Sequence, residues 1–178
     1  MNSVTVHNRQ FNLYLKHNDI VDAIEKLAAR MNEDLKDKNP LFIVVLNGAF
    51  VFASELITRF QGDCDVTFVR LASYEGTESS NSVRELMSLN VDVEDRTIVI
   101  VEDIIDSGLT MLMAKDKLKA AGARDVLIAT LLYKPKAFKH NYYIHYVGIE
   151  IPNDFIIGFG LDYDGKGRNL RDIYKIAE

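Results

Sequence analysis

The chain has 178 residues, of which 48% are hydrophobic and 26% are charged. Its 21 Lys and Arg residues and 26 Asp and Glu residues give a net charge of −5. This length suits one globular domain of roughly 100–200 residues, so we expect residues 1–178 to form a single domain. The acidic balance disfavours nucleic acid as a partner, because phosphate backbones bind surfaces rich in Lys and Arg.

The sequence pattern predicts a cytoplasmic protein without a membrane partner. The longest apolar run, residues 41–46, is far shorter than the roughly 20 residues that a membrane-spanning helix needs. Residues 1–5 lack the basic and apolar character of a signal peptide. The single cysteine, Cys64, cannot form an intramolecular disulfide.

The spacing of apolar residues predicts alternating helices and strands. Apolar residues every three or four positions indicate helices, and β-branched runs indicate strands covered on both faces. Asn18 or Asp19 is expected to cap the first helix. Strand–helix alternation is typical of a parallel α/β sheet, which we predict here. In chain order, the predicted elements are helix 18–31, strand 42–45, a helix from Gly48 to near Phe60, strand 64–71, strand 83–90, strand 96–101, helix 109–121, strand 126–133, and short strands 146–149 and 155–160.

The segment that follows the predicted strand 96–101 carries the chemistry. Ligands of open α/β sheets bind beyond the carboxyl ends of the strands. Glu102, Asp103 and Asp106 lie there, followed by a small residue, a glycine and a hydroxyl at the start of a helix, whose N–H groups can bind phosphate. Carboxylates beside a phosphate cradle suit sugar hydroxyls or Mg²⁺. The segment therefore indicates a sugar phosphate and a metal, the alternative being an acidic turn that only complements a helix N-terminus.

Residues 101–110 resemble the phosphoribosyl-pyrophosphate (PRPP) motif of type I phosphoribosyltransferases, and more narrowly that of the hypoxanthine-guanine members. Adenine and orotate members usually have Ala or Thr at the position of Asp106. Residues 71–74 resemble the catalytic lid of the family, residues 131–134 its base-reading strand end, and residues 150–170 its tail. The resemblance implies the type I fold, which is a central, mainly parallel sheet flanked by helices, with a small hood formed by terminal segments.

The resemblance implies an enzyme of purine salvage. Such an enzyme transfers the 5-phosphoribosyl group from PRPP to hypoxanthine or guanine, giving IMP or GMP and pyrophosphate, with Mg²⁺ as cofactor. Relatives are commonly homodimers or homotetramers. The order of hypoxanthine, guanine and xanthine stays open, because contacts to C2 of the purine come largely from backbone. The alternative to an enzyme is a regulator that has the same fold and binds RNA. The net charge of −5 disfavours this alternative.

The resemblance also assigns roles to individual residues. Asp106 is expected to act as the catalytic base that accepts the N7 proton of the purine. Glu102 and Asp103 are expected to hold the ribose hydroxyls and Mg²⁺. The further assignments are phosphoribosyl or phosphate binding by Asp106, Ser107, Gly108, Leu109 and Thr110, purine binding by Lys134, Phe155 and Ile156, pyrophosphate or lid contacts by Asn47, Gly48, Ser73, Tyr74 and Arg168, and a metal contact by Asp162.

Two of these assignments come with an alternative. Asn47 stands where many relatives have Lys or Arg, so its side-chain contact with pyrophosphate stays open. Residues 73–82 are rich in hydroxyls and poor in apolar anchors, which predicts a segment too weakly buried to be ordered without ligand. We predict that it is a lid that closes over the sugar pyrophosphate, the alternative being a solvent loop without a catalytic role.

No second site is predicted elsewhere in the sequence. The four histidines lack the spacing of metal ligands, and Cys64 has no identifiable partner, so all five are expected to be structural or surface residues. The chain has neither a lysine-containing phosphate loop nor a dinucleotide fingerprint, which excludes the common kinase and dehydrogenase classes.

Overall fold

The computed structural model describes residues 2–71 and 91–177, and within these ranges the chain forms three helices and nine strands. The predicted lid at 73–82 and the predicted strand 83–90 lie outside the described residues. The elements are β1 (Ser3–Val6), β2 (Arg9–Leu15), α1 (His17–Leu35), β3 (Leu41–Leu46), α2 (Phe50–Ile57), β4 (Asp65–Arg70), β5 (Thr97–Ile105), α3 (Leu109–Ala120), β6 (Asp125–Tyr133), β7 (Tyr146–Glu150), β8 (Ile156–Ile157) and β9 (Ile173–Ile176).

The main sheet has five strands in the order β4-β3-β5-β6-β7, and every neighbouring pair is parallel. Successive residues of β3 face opposite sides of this sheet. Phe42 and Val44 pack in one core with α1 and α2, whereas Ile43 packs in a second core with α3. Both faces are therefore covered by helices, which confirms the predicted α/β class. None of the helices in the described ranges is long and apolar enough to cross a membrane.

The terminal segments form a second sheet. Its strands lie in the order β1-β2-β9-β8, and each neighbouring pair is antiparallel. Phe11, Ile157 and Tyr174 are buried in a small core of their own. This sheet is the small hood that the sequence resemblance implied. The sequence analysis did not assign β1, β2 or β9. Strands β1 and β9 have only four residues each, and the first four residues of β2 include three exposed polar ones.

The predicted cap of the first helix is wrong. Helix α1 begins at His17, its N-cap residue is Lys16, and neither Asn18 nor Asp19 caps it. The backbone N–H of His17 instead donates to Oδ1 of Asp172, with an N···O distance of 2.8 Å. The capping carboxylate comes from the segment before β9, so it satisfies a free N–H of the helix from a distant part of the chain.

Two strand boundaries also differ from the prediction. Strand β5 continues beyond Val101 to Ile105 because it pairs with β6 along this stretch, so Glu102 and Asp103 lie within the strand rather than after it. The predicted strand 155–160 shrinks to the two residues of β8. Gly158 and Gly160 have positive φ angles of 102° and 100°, which bend the chain and end the strand.

His145 is expected to make the stability of the fold depend on pH. Its Nδ1 accepts a hydrogen bond from the backbone N–H of Ile128 at 3.3 Å. Burial, together with the nearby Lys115, lowers the pKa of His145 from its ordinary 6.5, against an opposing effect of Asp125. As pH falls, the unfolded chain therefore binds the proton first, so stability decreases below the unfolded pKa.

The measurement is the melting temperature Tm between about pH 7.5 and about pH 5.5. We expect the Tm of the wild type to fall over this interval more steeply than that of His145→Gln, which has no imidazole to protonate. Equal pH slopes for the two proteins would contradict this assignment.

Candidate active site

A cavity of about 400 Å³ lies where β3 and β5 end. It brings together nine of the residues that the sequence analysis selected. These are Gly48, Glu102, Asp103, Asp106, Ser107, Gly108, Thr110, Asp162 and Arg168. Asn47, Leu109, Lys134, Phe155 and Ile156 are not in its lining, and Ser73 and Tyr74 lie outside the described residues. The sequence analysis had not selected Val45, Leu46, Leu71, Ile104, Ile105 and Met111, which also line the cavity.

The loop before α3, residues 106–108, has the geometry of an anion site, and we call it the phosphate loop. Gly108 is the N-cap residue of α3 and has a φ of 87°, a left-handed conformation that glycine adopts without steric cost. A Cβ at this position would overlap the ring of Phe138 and the hydroxyl of Tyr142. The first N–H groups of the helix have no partner within the helix and carry its positive dipole end. This loop can therefore hold a phosphate group.

Glu102 and Asp103 form a carboxylate pair at the base of the cavity. The N–H of Asp103 donates to Oε1 of Glu102 at 3.2 Å, and the N–H of Ile104 donates to Oδ1 of Asp103 at 2.8 Å. Burial, and then repulsion from Asp103, raise the pKa of Glu102 well above its ordinary value. Burial also raises the pKa of Asp103, although hydrogen bonding and the charge of Arg168 partly offset this. A cation would relieve the repulsion between the two carboxylates.

The donor set fits Mg²⁺ that binds together with a phosphorylated substrate. Among the described residues, no group of three or more His, Cys, Asp or Glu side chains is arranged to hold a metal without further ligands. Mg²⁺ commonly takes only one or two carboxylates and completes its shell with substrate phosphates and water. Glu102 and Asp103 supply such a pair beside the phosphate loop.

Gly48 allows Asp103 to approach the backbone of the turn between β3 and α2. A Cβ on Gly48 would overlap the carboxylate of Asp103. On the other side of the turn, a Cβ on Gly160 would overlap the carbonyl oxygen of Gly48. The missing side chains let three segments of the chain meet at one edge of the cavity.

Lys134 and Asp106 form an ion pair beside the cavity. The distance from Nζ of Lys134 to Oδ2 of Asp106 is 3.0 Å, and the two side chains are 10% and 54% exposed. Lys134 directly follows β6, and its backbone N–H donates to the carbonyl of Ile105 at 3.0 Å. The parallel pairing of β5 and β6 thus places a hydrogen-bond donor next to an acceptor.

Asp162 and Arg168 form a second pair in the cavity wall. Nη2 of Arg168 lies 2.7 Å from Oδ1 of Asp162, and the N–H of Gly165 donates to Oδ2 of Asp162 at 2.7 Å. The other terminal nitrogen of Arg168 donates to the carbonyl of Gly160 at 2.7 Å. These bonds hold both side chains in place, so the wall presents a carboxylate and a guanidinium together.

Phe155 and Ile156 belong to the hood. Phe155 is 46% exposed, and its ring packs against Phe11 and Tyr163, with ring centroids 6.3 and 5.7 Å away. The side chain of Ile156 is buried, and its strand β8 pairs with β9. Phe155 is thus partly exposed, and an exposed aromatic ring can stack on a planar ligand.

Tyr142 and Phe138 contact the phosphate loop and were missed by the sequence analysis. The hydroxyl of Tyr142 donates to the carbonyl of Gly108 at 2.7 Å. Tyr142 lies 34 residues after Gly108, outside any of the predicted helices and strands, so no local pattern indicates the contact.

Comparisons with known proteins agree with this architecture. The model of the phosphoribosyl transferase domain matches residues 12–164. A hypoxanthine-guanine phosphoribosyltransferase of Streptococcus thermophilus is 41% identical over 153 residues, which are 85% of each chain. A crystal structure of a hypoxanthine-guanine phosphoribosyltransferase of Bacillus anthracis has a TM-score of 0.83 and 30% identity, covering 94% of this chain and 97% of the other.

A solved hypoxanthine-guanine-xanthine phosphoribosyltransferase is equally similar in structure. Its TM-score is 0.83 and its identity is 30%, with coverage of 94% of this chain and 97% of the other. The matches span the parallel sheet, the carboxylate pair and the phosphate loop alike. The chain therefore belongs to the phosphoribosyltransferase family, among its hypoxanthine-guanine members.

Proposed function

We propose that this chain transfers the 5-phosphoribosyl group from PRPP to hypoxanthine and guanine, giving IMP or GMP and pyrophosphate in purine salvage. One observation carries the choice of base. The Lys134–Asp106 pair, with its 3.0 Å separation, stands beside a cavity lined by carboxylates and a phosphate loop. The relatives from Streptococcus thermophilus and Bacillus anthracis are named hypoxanthine-guanine phosphoribosyltransferases, which supports the same choice of bases.

The pair complements one edge of a 6-oxopurine. Such a base presents O6 and N7 side by side on one edge. The ammonium of Lys134 offers donors only, which suits O6, and the carboxylate of Asp106 is an acceptor, which suits a protonated N7. When N9 attacks the anomeric carbon and pyrophosphate leaves, the proton on N7 becomes more acidic. Asp106 then acts as general base and receives that proton.

The rest of the cavity is proposed to bind the sugar and its phosphates. The N–H groups and hydroxyls of Ser107, Gly108, Leu109 and Thr110 hold the 5′-phosphate, with Leu109 acting through its backbone. Glu102 and Asp103 accept hydrogen bonds from the ribose hydroxyls and would hold Mg²⁺. Asp162 forms no group of three metal ligands with them among the described residues, so its metal contact would be to an ion that the substrate phosphates also hold. When bound, Mg²⁺ neutralises the charge that builds on the leaving pyrophosphate.

The remaining assignments concern the purine base and the pyrophosphate group of PRPP. Phe155 stacks on the purine, and the backbone of Ile156 bonds to its edge. Arg168 and the turn at Asn47 and Gly48 contact the pyrophosphate, Asn47 through its backbone N–H. The half-exposed Phe155 and the held guanidinium of Arg168 support these roles. Ser73 and Tyr74 are proposed to close over the pyrophosphate as parts of the lid.

Gly48→Ala is expected to lower kcat/KM for PRPP about 100-fold, because small displacements of a substrate-binding group have costs of this size. The added Cβ would occupy the position of the Asp103 carboxylate, so Asp103 must turn away from the ribose. Steady-state kinetics at varied PRPP concentration measures the change, and thermal unfolding shows whether the fold is intact. A folded variant with wild-type kcat/KM would remove Gly48 from this positioning role.

We also propose that residues 1–178 form one phosphoribosyltransferase domain that assembles into a homodimer or homotetramer in the cytoplasm. Apolar side chains on β4, which is at the edge of the main sheet among the described residues, support assembly, because Val66 and Phe68 are 41% and 57% exposed. Light scattering coupled to size-exclusion chromatography measures the oligomeric state. A monomer at micromolar concentration would contradict the proposal.

The decisive experiment is a transfer assay with purified protein, PRPP, Mg²⁺ and labelled hypoxanthine. The proposal requires labelled IMP and one pyrophosphate per IMP. Binding of RNA without any nucleotide formation would instead identify a regulator that has kept the fold. The same assay with guanine and xanthine ranks the three 6-oxopurines, which differ at C2.

A further inference from the structure

Among the described residues, segment 134–142 makes four hydrogen bonds to residues 105–108. One joins Nζ of Lys134 to Asp106, and the other three hold backbone carbonyls. The N–H of Lys134 donates to the carbonyl of Ile105 at 3.0 Å, and the N–H of Lys139 donates to the carbonyl of Ser107 at 3.2 Å. The hydroxyl of Tyr142 donates to the carbonyl of Gly108 at 2.7 Å. Two of the three donors to these carbonyls are backbone N–H groups, so within the described part of this segment Tyr142 is the side chain that holds a carbonyl of the loop.

These bonds determine which way the N–H groups of the loop point. In a planar trans peptide, the C=O and the following N–H point in opposite directions. The carbonyl of Ser107 points toward residues 134–142, so the N–H of Gly108 points away from them. The carbonyl of Gly108 accepts hydrogen bonds from the hydroxyl of Tyr142 and from the N–H of Leu112, so the N–H of Leu109 points away from both. Ser107 and Gly108 line the cavity and no residue of segment 134–142 does, so we infer that the cavity lies on the side to which these N–H groups point.

Tyr142 is itself firmly held. Its ring packs edge-on against Phe138 with a centroid distance of 5.0 Å, and the ammonium of Lys115 lies 5.7 Å from its ring centroid. Burial raises the pKa of the Tyr142 hydroxyl far above its ordinary 10.0, so the hydroxyl keeps its proton and remains a donor. A rigid aromatic ring with a protonated hydroxyl is suited to hold a backbone carbonyl.

We propose that Tyr142 is a positioning residue for the 5′-phosphate site, which acts through the carbonyl of Gly108 and does not touch the substrate. This inference rests on the proposed function, since it takes the loop before α3 as the phosphate site. Its hydroxyl keeps the Gly108–Leu109 peptide oriented for phosphate binding. The N–H of Leu112 also donates to the carbonyl of Gly108, at 3.1 Å, at the start of α3. Loss of the hydroxyl leaves the carbonyl with that bond alone, so the peptide is held less firmly and ligands that carry the phosphate bind more weakly.

The test compares Tyr142→Phe with Tyr143→Phe. The first change removes only the hydroxyl, because the ring can keep its packing on Phe138. The second removes the hydroxyl of the adjacent tyrosine, which is 69% exposed. For Tyr142→Phe we expect KM for PRPP to rise about 3- to 10-fold, the range of one neutral hydrogen bond, while KM for hypoxanthine changes less than about 2-fold. Tyr143→Phe should match the wild type.

Inhibition by IMP and by inosine separates positioning from general destabilisation, because the two differ only in the 5′-phosphate. Tyr142→Phe should weaken inhibition by IMP by the same factor as KM for PRPP and leave inhibition by inosine unchanged. Equal weakening of both inhibitors, or no weakening of either, would overturn the inference. Absence of transfer by the wild type would overturn the proposed function instead, so the two failures are distinguishable.

Discussion

Asp106→Asn is expected to lower kcat about 10²- to 10⁴-fold, the range associated with a lost general base. The amide is nearly isosteric with the carboxylate and can still accept a hydrogen bond from Lys134, whose Nζ lies 3.0 Å from Asp106 in the wild type. It cannot take up the N7 proton. Affinity for PRPP should remain near the wild-type value, because the phosphate loop and the carboxylate pair are unchanged. Single-turnover kinetics measures the chemical step directly.

Asp164→Asn is the matched control for this prediction. Asp164 is exposed and has a φ of 47°, which Asn adopts as readily as Asp. The control makes the same chemical change outside the cavity lining, so its single-turnover rate should equal that of the wild type. A wild-type rate in Asp106→Asn would remove Asp106 from the mechanism.

Adenine is expected to have a kcat/KM about 10⁴-fold below that of hypoxanthine, because a site built to bond a particular polar group strongly rejects a base that cannot make the bond. The amino group of adenine would point its donors at Lys134, which has donors only. The Lys134 side chain is 10% exposed and is held by Asp106, so it has little room to withdraw from the base.

Competition for PRPP between the two bases in one reaction measures this ratio without separate enzyme preparations. Lys134→Gln provides the matching variant, because its amide can present either a donor or an acceptor. We expect the variant to have a lower kcat/KM for hypoxanthine. The ratio of kcat/KM for hypoxanthine to kcat/KM for adenine should therefore be smaller than in the wild type. Comparable kcat/KM values for adenine and hypoxanthine with the wild type would contradict the assignment of Lys134 to the base pocket.

Local patterns were sufficient for the central part of the fold. The β-branched runs of β3, β5 and β6 have enough apolar residues to be recognised as strands covered on both faces, and the structure has them in one parallel sheet. The carboxylates and the glycine at 102–108 occur in one short segment, so their meeting in one cavity was predictable from the chain order alone.

Distant parts of the chain decided the remaining features. The carboxylate that caps α1 belongs to Asp172, which is 155 residues from His17. The sequence analysis ended β5 at Val101, four residues too early. Pairing with β6 extends the strand through Glu102 and Asp103, although acidic residues are rare inside strands. The sequence reading relied on intrinsic preferences, whereas pairing with a neighbouring strand overrode them.

For this protein, the amino-acid sequence by itself determined the α/β class, the order of the central elements and the identity of the carboxylates and the glycine at residues 102–108, because each depends on residues close together in the chain. Only the tertiary structure decided that Lys134 pairs with Asp106, that Gly48 leaves room for Asp103, and that Tyr142 holds Gly108. The residues of these three contacts are 28, 55 and 34 positions apart in the chain, respectively. Side-chain spacing along a helix or strand does not encode them, since they arise from the register of neighbouring strands and the packing of the loops that follow.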